Sequence, residues 1–304
     1  MDGRTNLDRH LRGSGRLDLT GLAWERIPDH PLSPAEVRCL AYMADIESHT
    51  MVFLRDLLAT RAVQDARLTA FLACWAYEEL WHGEALSRFL GEAGARLEPD
   101  GGLPRWDDPY PSGVARIERV RAVARGARGA RGRLRRDGMA LASRLLGGFP
   151  AVHMAWGAIN ELSTLTAYQR LVARTANPVL ADLLSRIVRD ERRHYSYYRV
   201  EADRRLADDA VARRVTRVAL DRSWAIVGTG VRPLAETDFV VLHLFGDDDG
   251  LRAATDMDRA IDGLPGLGGL RLFERARAAA ISRAAERAPA ARRGVRAGSC
   301  STGS

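Results

Sequence analysis

The chain contains no lysine, and all 46 of its basic side chains are arginine. That bias, with the abundance of alanine and glycine, points to the base composition of the coding DNA. The formal charge of +7 and the pI near 9.9 would otherwise suggest a nucleic-acid partner, and none is expected. Cysteine is almost missing. Cys39, Cys74 and Cys300 offer neither a zinc-like spacing nor a disulfide framework, so a reducing cytoplasm is the expected compartment. The most apolar window, 145–159, is interrupted by Pro150 and His153 and falls short of the roughly 20 residues a membrane-spanning helix needs. The opening Met1-Asp2-Gly3-Arg4 lacks the apolar core of a secretory leader. Strand-period segments are also lacking, which leaves an all-α fold. Apolar residues make up 46% of the chain, enough for a real core.

Residues 1–33 are polar, rich in glycine and arginine, and end near Pro28, Pro31 and Pro34; they read as a loosely ordered lead-in. A single domain follows over 34–288, with a Pro/Gly/Arg-rich insertion at about 98–148. Ser33-Pro34-Ala35-Glu36 predicts a helix start, with serine as cap and glutamate at the third position. The helix over 34–60 carries Leu40, Glu47, Met51, Leu54 and Leu58 on one stripe. The next, over 64–92, aligns Phe71, Leu72, Trp75, Glu79, His82, Leu86 and Phe89. Glu78 and Glu84 fall off that stripe and read as solvated or outer residues. Nine arginines lie between 116 and 136, read as a solvated basic segment in preference to a docking surface. A third helix over 150–176 aligns Met154, Ala158, Glu161, Leu165, Tyr168 and Val172. A fourth over 178–207 aligns Leu180, Leu184, Ile187, Glu191, His194 and Tyr198. Helical segments at 210–231, 238–261 and 270–288 are expected to cover the bundle, and the tail 289–304 to be disordered.

Six of these residues do not belong on apolar stripes unless something partners them. Glu79 and His82 form a Glu-x-x-His pair, as do Glu191 and His194. Residues three apart share a helix face, so each pair can grip one metal ion. Glu47 and Glu161 each precede such a pair by roughly thirty residues, the length of one helix up, a turn and one helix down. One glutamate from each of two helices, plus Glu-x-x-His from each of two others, is the ferritin-like di-iron or di-manganese pattern. Four carboxylates and two imidazoles are too costly to bury alone, and two divalent cations cancel their charge. Oxygen ligands with some imidazole suit iron or manganese. The expected fold is therefore an all-α, ferritin-like four-helix bundle with a di-metal core and additional C-terminal helices.

Around these residues the chain resembles the soluble acyl-carrier-protein desaturases. Trp75-Ala76-Tyr77-Glu78-Glu79-Leu80-Trp81-His82-Gly83-Glu84-Ala85-Leu86 looks like that family's W-x-x-E-E-x-x-H-G-x-x-L block, and Asp190-Glu191-Arg192-Arg193-His194 is similar to its D-E-x-x-H block. Glu161-Leu162-Ser163-Thr164 resembles its third carboxylate with a nearby threonine. The likeness covers roughly 36–206. It implies that Glu47, Glu79, His82, Glu161, Glu191 and His194 ligate two iron ions, with manganese an option at one position. Thr164 would assist oxygen activation, while Asp190 and Trp75 would orient ligands and lie on the electron path. The implied partners are O₂, a ferredoxin-type electron donor and an acyl carrier protein or other acyl-carrier substrate, in a homodimer.

The chain departs from the family in three places. Only 46 residues precede Glu47, the stretch between His82 and Glu161 is longer and Arg-rich, and Trp81 stands where a polar residue is usual. These departures bear on the acyl substrate and its docking, not on the metal ligands. The expected activity is O₂-dependent oxidation of an acyl chain, by desaturation or hydroxylation. Two alternatives stand beside it: a natural-product tailoring oxygenase acting on a non-fatty substrate, and a non-catalytic ferritin-like iron-binding protein. Amine N-oxygenases of related architecture carry a further histidine where this chain has Ile187, which argues against them.

Overall fold

The computed structural model describes residues 3–58, 60–95 and 148–297. The nine arginines between 116 and 136, and Cys300, lie outside the described residues. The described chain is all-α: α1 (Gly3–Gly13), α2 (Pro34–Leu58), α3 (Ala66–Glu92), α4 (Phe149–Arg174), α5 (Pro178–Ala207), α6 (Ala210–Ser223), α7 (Leu234–Phe245), α8 (Asp248–Asp262) and α9 (Leu272–Ala297).

Three of the bundle helices begin at a side-chain cap. At α2 the capping box forms in full. The Ser33 amide donates to Glu36 Oε2 at 2.8 Å, and the Glu36 amide donates to Ser33 Oγ at 3.2 Å. Glu36 also accepts from Thr175 Oγ1 at 2.8 Å, so the start of α2 is tied to the end of α4. Ser33→Ala should cost about 1 kcal/mol of unfolding free energy in a denaturant melt, the usual worth of such a cap; an unchanged midpoint would mean the box contributes nothing. Asp65 caps α3 by accepting from the Arg67 and Leu68 amides, and Asn177 caps α5 by accepting from those of Val179 and Leu180.

Short connections reverse the chain after α2 and again after α4, so α2 packs on α3 and α4 on α5. Leu40, Leu72, Leu86, Leu180, Leu184 and Ile187 fill the interior with no exposed surface. Gly157 sets the approach of α4 to α5, since a Cβ there would come within 2.2 Å of Tyr198 Cε1. The C-terminal helices cover one side, with α6 against α4, and α7 and α8 gathered by α9. The segment between α6 and α7 locks onto α2. Tyr42 donates to the Val227 carbonyl at 2.7 Å, and Arg232 bonds to Asp45 at 2.9 Å. Gly228 sits there with φ +93, and a Cβ would lie 2.0 Å from the Tyr42 hydroxyl. Only glycine meets both conditions.

The expected all-α bundle with added C-terminal helices is present, and four details differ from expectation. The lead-in is structured. Its apolar residues show no period, yet Leu17, Leu22 and Ile27 are all buried, and Asn177 Nδ2 bonds to the carbonyls of Ile27 and His30. The segment 210–231 is helical only to Ser223, and 238–261 divides at Gly246 into two helices. The last helix continues past Pro289 to Ala297, in a stretch whose alanines favour helix. Among the described residues no helix is long and apolar enough to cross a membrane.

Candidate metal centre

The six residues singled out on the four long helices converge. α2 supplies Glu47, α3 Glu79 and His82, α4 Glu161, and α5 Glu191 and His194, all buried. Their ligand atoms form two groups, Glu47–Glu79–His82–Glu191 and Glu79–Glu161–Glu191–His194, each with its atoms within 4.8 Å of one another. Glu79 and Glu191 belong to both. Glu47 and Glu161 each belong to one, as does each histidine. Two overlapping groups that share two carboxylates, each completed by one further carboxylate and one imidazole, could hold metal ions.

Both imidazoles turn Nδ1 inward. His82 Nδ1 lies 3.2 Å from Glu191 Oε1, and His194 Nδ1 lies 3.0 Å from Glu79 Oε1. Yet among the described residues neither Nδ1, nor either oxygen of Glu191, has a hydrogen-bond partner. Buried polar atoms without partners are costly, and here they face a common point. Donor set, charge and orphaned atoms all fit a pair of divalent ions. On their outer edges the imidazoles are exchanged between helices. With Nε2 carrying the proton, His82 of α3 donates to Asp190 of α5 at 3.2 Å, and His194 of α5 donates to Glu78 of α3 at 2.7 Å. Such carboxylate–histidine pairs fix the tautomer that leaves Nδ1 free to ligate.

The two end carboxylates are each held by an aromatic donor. Trp75 Nε1 donates to Glu161 Oε1 at 3.1 Å, and the Tyr168 hydroxyl donates to Glu47 Oε1 through a short contact. Gly83 allows α2 to close on α3 beside Glu47, since a Cβ there would sit 2.8 Å from Ser48 Oγ. Burial, then the charges of Glu79 and Glu191, push the Glu47 carboxyl well above its usual range. Burial does the same at Glu161, reinforced by Glu191 and Glu79. Burial opposes a charged His82 and His194, but the surrounding carboxylates outweigh it and raise both. At Glu79 burial is outweighed by the adjacent Glu47 carboxyl and the His194 and His82 imidazoles, which hold it well below the carboxylate norm.

Trp75 and Asp190 therefore touch the centre directly or through one imidazole. Thr164 sits one turn past Glu161, half-buried, and among the described residues makes no hydrogen bond to the cluster. Glu78, expected to be solvated or outer, is fully buried and accepts from His194, from Arg193 NH2 at 2.9 Å and from the Gly15 amide at 3.0 Å. Arg193 and the lead-in were not anticipated. The signal that could have found Glu78 is the acid immediately before each motif glutamate, Glu78 before Glu79 and Asp190 before Glu191. Two cavities of about 560 and 320 Å³ are lined by residues such as Arg217 and Leu251, and Leu162 and Met257, none of them a cluster residue. Compared with family models, curated proteins and solved structures, the chain finds no match.

Proposed function

We propose that this chain is an O₂-dependent oxidoreductase with a dinuclear non-heme iron centre, acting on an acyl chain presented by a carrier protein. The observation that carries the metal reading is the sharing of Glu79 and Glu191 between two ligand groups. Carboxylates and imidazoles without thiolate favour iron, with manganese acceptable at one position. Bound there, two iron ions would supply O₂ reduction and an oxidant able to take hydrogen from an unactivated carbon. The residue roles follow from the contacts. Trp75 and Tyr168 each hold one oxygen of an end carboxylate, and Asp190 and Glu78 keep the Nε2 proton on each imidazole. By the sequence resemblance, the Trp75 indole beside Glu161 would lie on the electron path and Thr164, one turn beyond Glu161, would assist oxygen activation. The acyl substrate, its desaturation or hydroxylation, and the ferredoxin-type donor come from the sequence resemblance.

Two experiments test this in stages. The chain, loaded anaerobically with ferrous iron and desalted, should retain about two irons, as the six-ligand pattern requires, and react with O₂. A reductase and ferredoxin with acyl-carrier substrates should then drive O₂ consumption matched by oxidised product. Iron retention without product would leave an iron-binding protein and remove the oxidoreductase; a non-acyl product would support the tailoring alternative.

A further inference from the structure

We propose that Arg193 is a positioning residue that sets both imidazoles of the centre at once. The proposal rests on the dinuclear reading above. One nitrogen of its guanidinium, NH2, donates to Glu78 Oε1 at 2.9 Å and to Asp190 Oδ1 at 2.6 Å. The other oxygen of each carboxylate accepts from an imidazole, Glu78 from His194 and Asp190 from His82. Among the described residues Arg193 is thus the one arginine bonded to both crossed carboxylate–histidine pairs, and it links them. Its NH1 makes none, so its hold on the site is the pair of bonds from NH2. The end of α1 leaves room for it: a Cβ at Gly13 would stand 3.1 Å from NH1. The side chain keeps 27% of its surface exposed, so it is a bracket on the rim of the core and not a filler of it.

This arrangement separates three substitutions. Without Asp190 only His82 loses its brace, and without Glu78 only His194 does. Without Arg193, Asp190 loses its bracket and Glu78 Oε1 keeps only the Gly15 amide, so both imidazoles are held less firmly.

The test titrates cobalt(II) anaerobically into the metal-free full-length chain, reading uptake by equilibrium dialysis and ligand geometry by visible absorption. Arg193→Gln should weaken both binding steps by about 10- to 100-fold, the usual effect of removing an outer partner of a metal ligand. Asp190→Asn and Glu78→Gln should each weaken one step, and Arg193→Lys, which still offers several N–H groups on one nitrogen, should recover part of both. On the Glu78→Gln/Asp190→Asn background, Arg193→Gln should add no further loss, because nothing remains for it to hold. Unchanged affinities in Arg193→Gln, loss of one step alone, or a full additional loss on the double-variant background would each overturn the proposal. If Arg193→Gln loses its cooperative melt, the lysine variant decides: loss of either step in a folded Arg193→Lys chain overturns it. Failure of the unaltered chain to take up two cobalt ions would instead remove the dinuclear reading.

Discussion

Glu191→Ala should empty both metal positions together, taking retained iron from about two per chain to nearly none, because in this ligand pattern the residue serves both ions. Glu161→Ala should behave differently, since Glu161 belongs to only one of the two ligand groups, and one ion should remain. For Glu191, unfolding is not the cause to expect. Glu191 is buried with both oxygens lacking a hydrogen bond, so its removal from the metal-free chain relieves a desolvated group. A melt of the metal-free variant should therefore match or exceed that of the unaltered chain. With metal present the order reverses: free metal at 100 times its dissociation constant would stabilise the unaltered chain by about 2.7 kcal/mol, and Glu191→Ala should gain none of it. Equal iron content in Glu191→Ala and Glu161→Ala would show that Glu191 is not shared.

The second expectation concerns pH, and its sign changes with the metal. Glu47 and Glu161 have carboxyls raised well above the ordinary 4.5, first by burial, and His82 and His194 are raised well above 6.5 by the carboxylates that outweigh burial. The folded metal-free chain thus binds more protons at these four groups than the unfolded chain does. Stability then falls as pH rises from about 4.5 upward through the folded values. Glu79 is lowered, so its contribution is complete above about 4.5 and is lost only as pH falls below that value. Metal uptake requires deprotonated ligands, so ions must displace those protons. Affinity should rise with pH, and ferrous or cobalt ions added to weakly buffered protein should acidify it. Binding that neither releases protons nor strengthens with pH would contradict the placement of these carboxyls around the ions.

How much of this was legible in the residues depends on what each one packs against. The six clustered residues could be read because each sits in phase with apolar neighbours on its own helix, where an unpartnered carboxylate is out of place. Glu78 could be read only as solvated or as an outer residue of the cluster, because it is turned about 100° from Glu79 on the helix, off the apolar stripe; the second reading holds. Its burial is made by α5 and by Gly15 closing over it. Tyr168 was placed on the inner stripe, but its bond to Glu47 depends on how α4 faces α2, which no single-helix pattern encodes. The lead-in was misjudged for a related reason. Leu17 and Leu22 lie in irregular chain and Ile27 in a short 3-10 helix, Trp24–Asp29, that docks on α3 and α5, so no helical period marks them.

The crossing of the outer carboxylates bears on how the molecule can be divided. The α2–α3 hairpin contains Glu47, Glu79 and His82 but lacks Asp190, and the α4–α5 hairpin contains Glu161, Glu191 and His194 but lacks Glu78. Each hairpin holds the brace for its sister's imidazole and none for its own. Severed halves of the chain would therefore each be poor chelators, and only on reassociation could tight binding return.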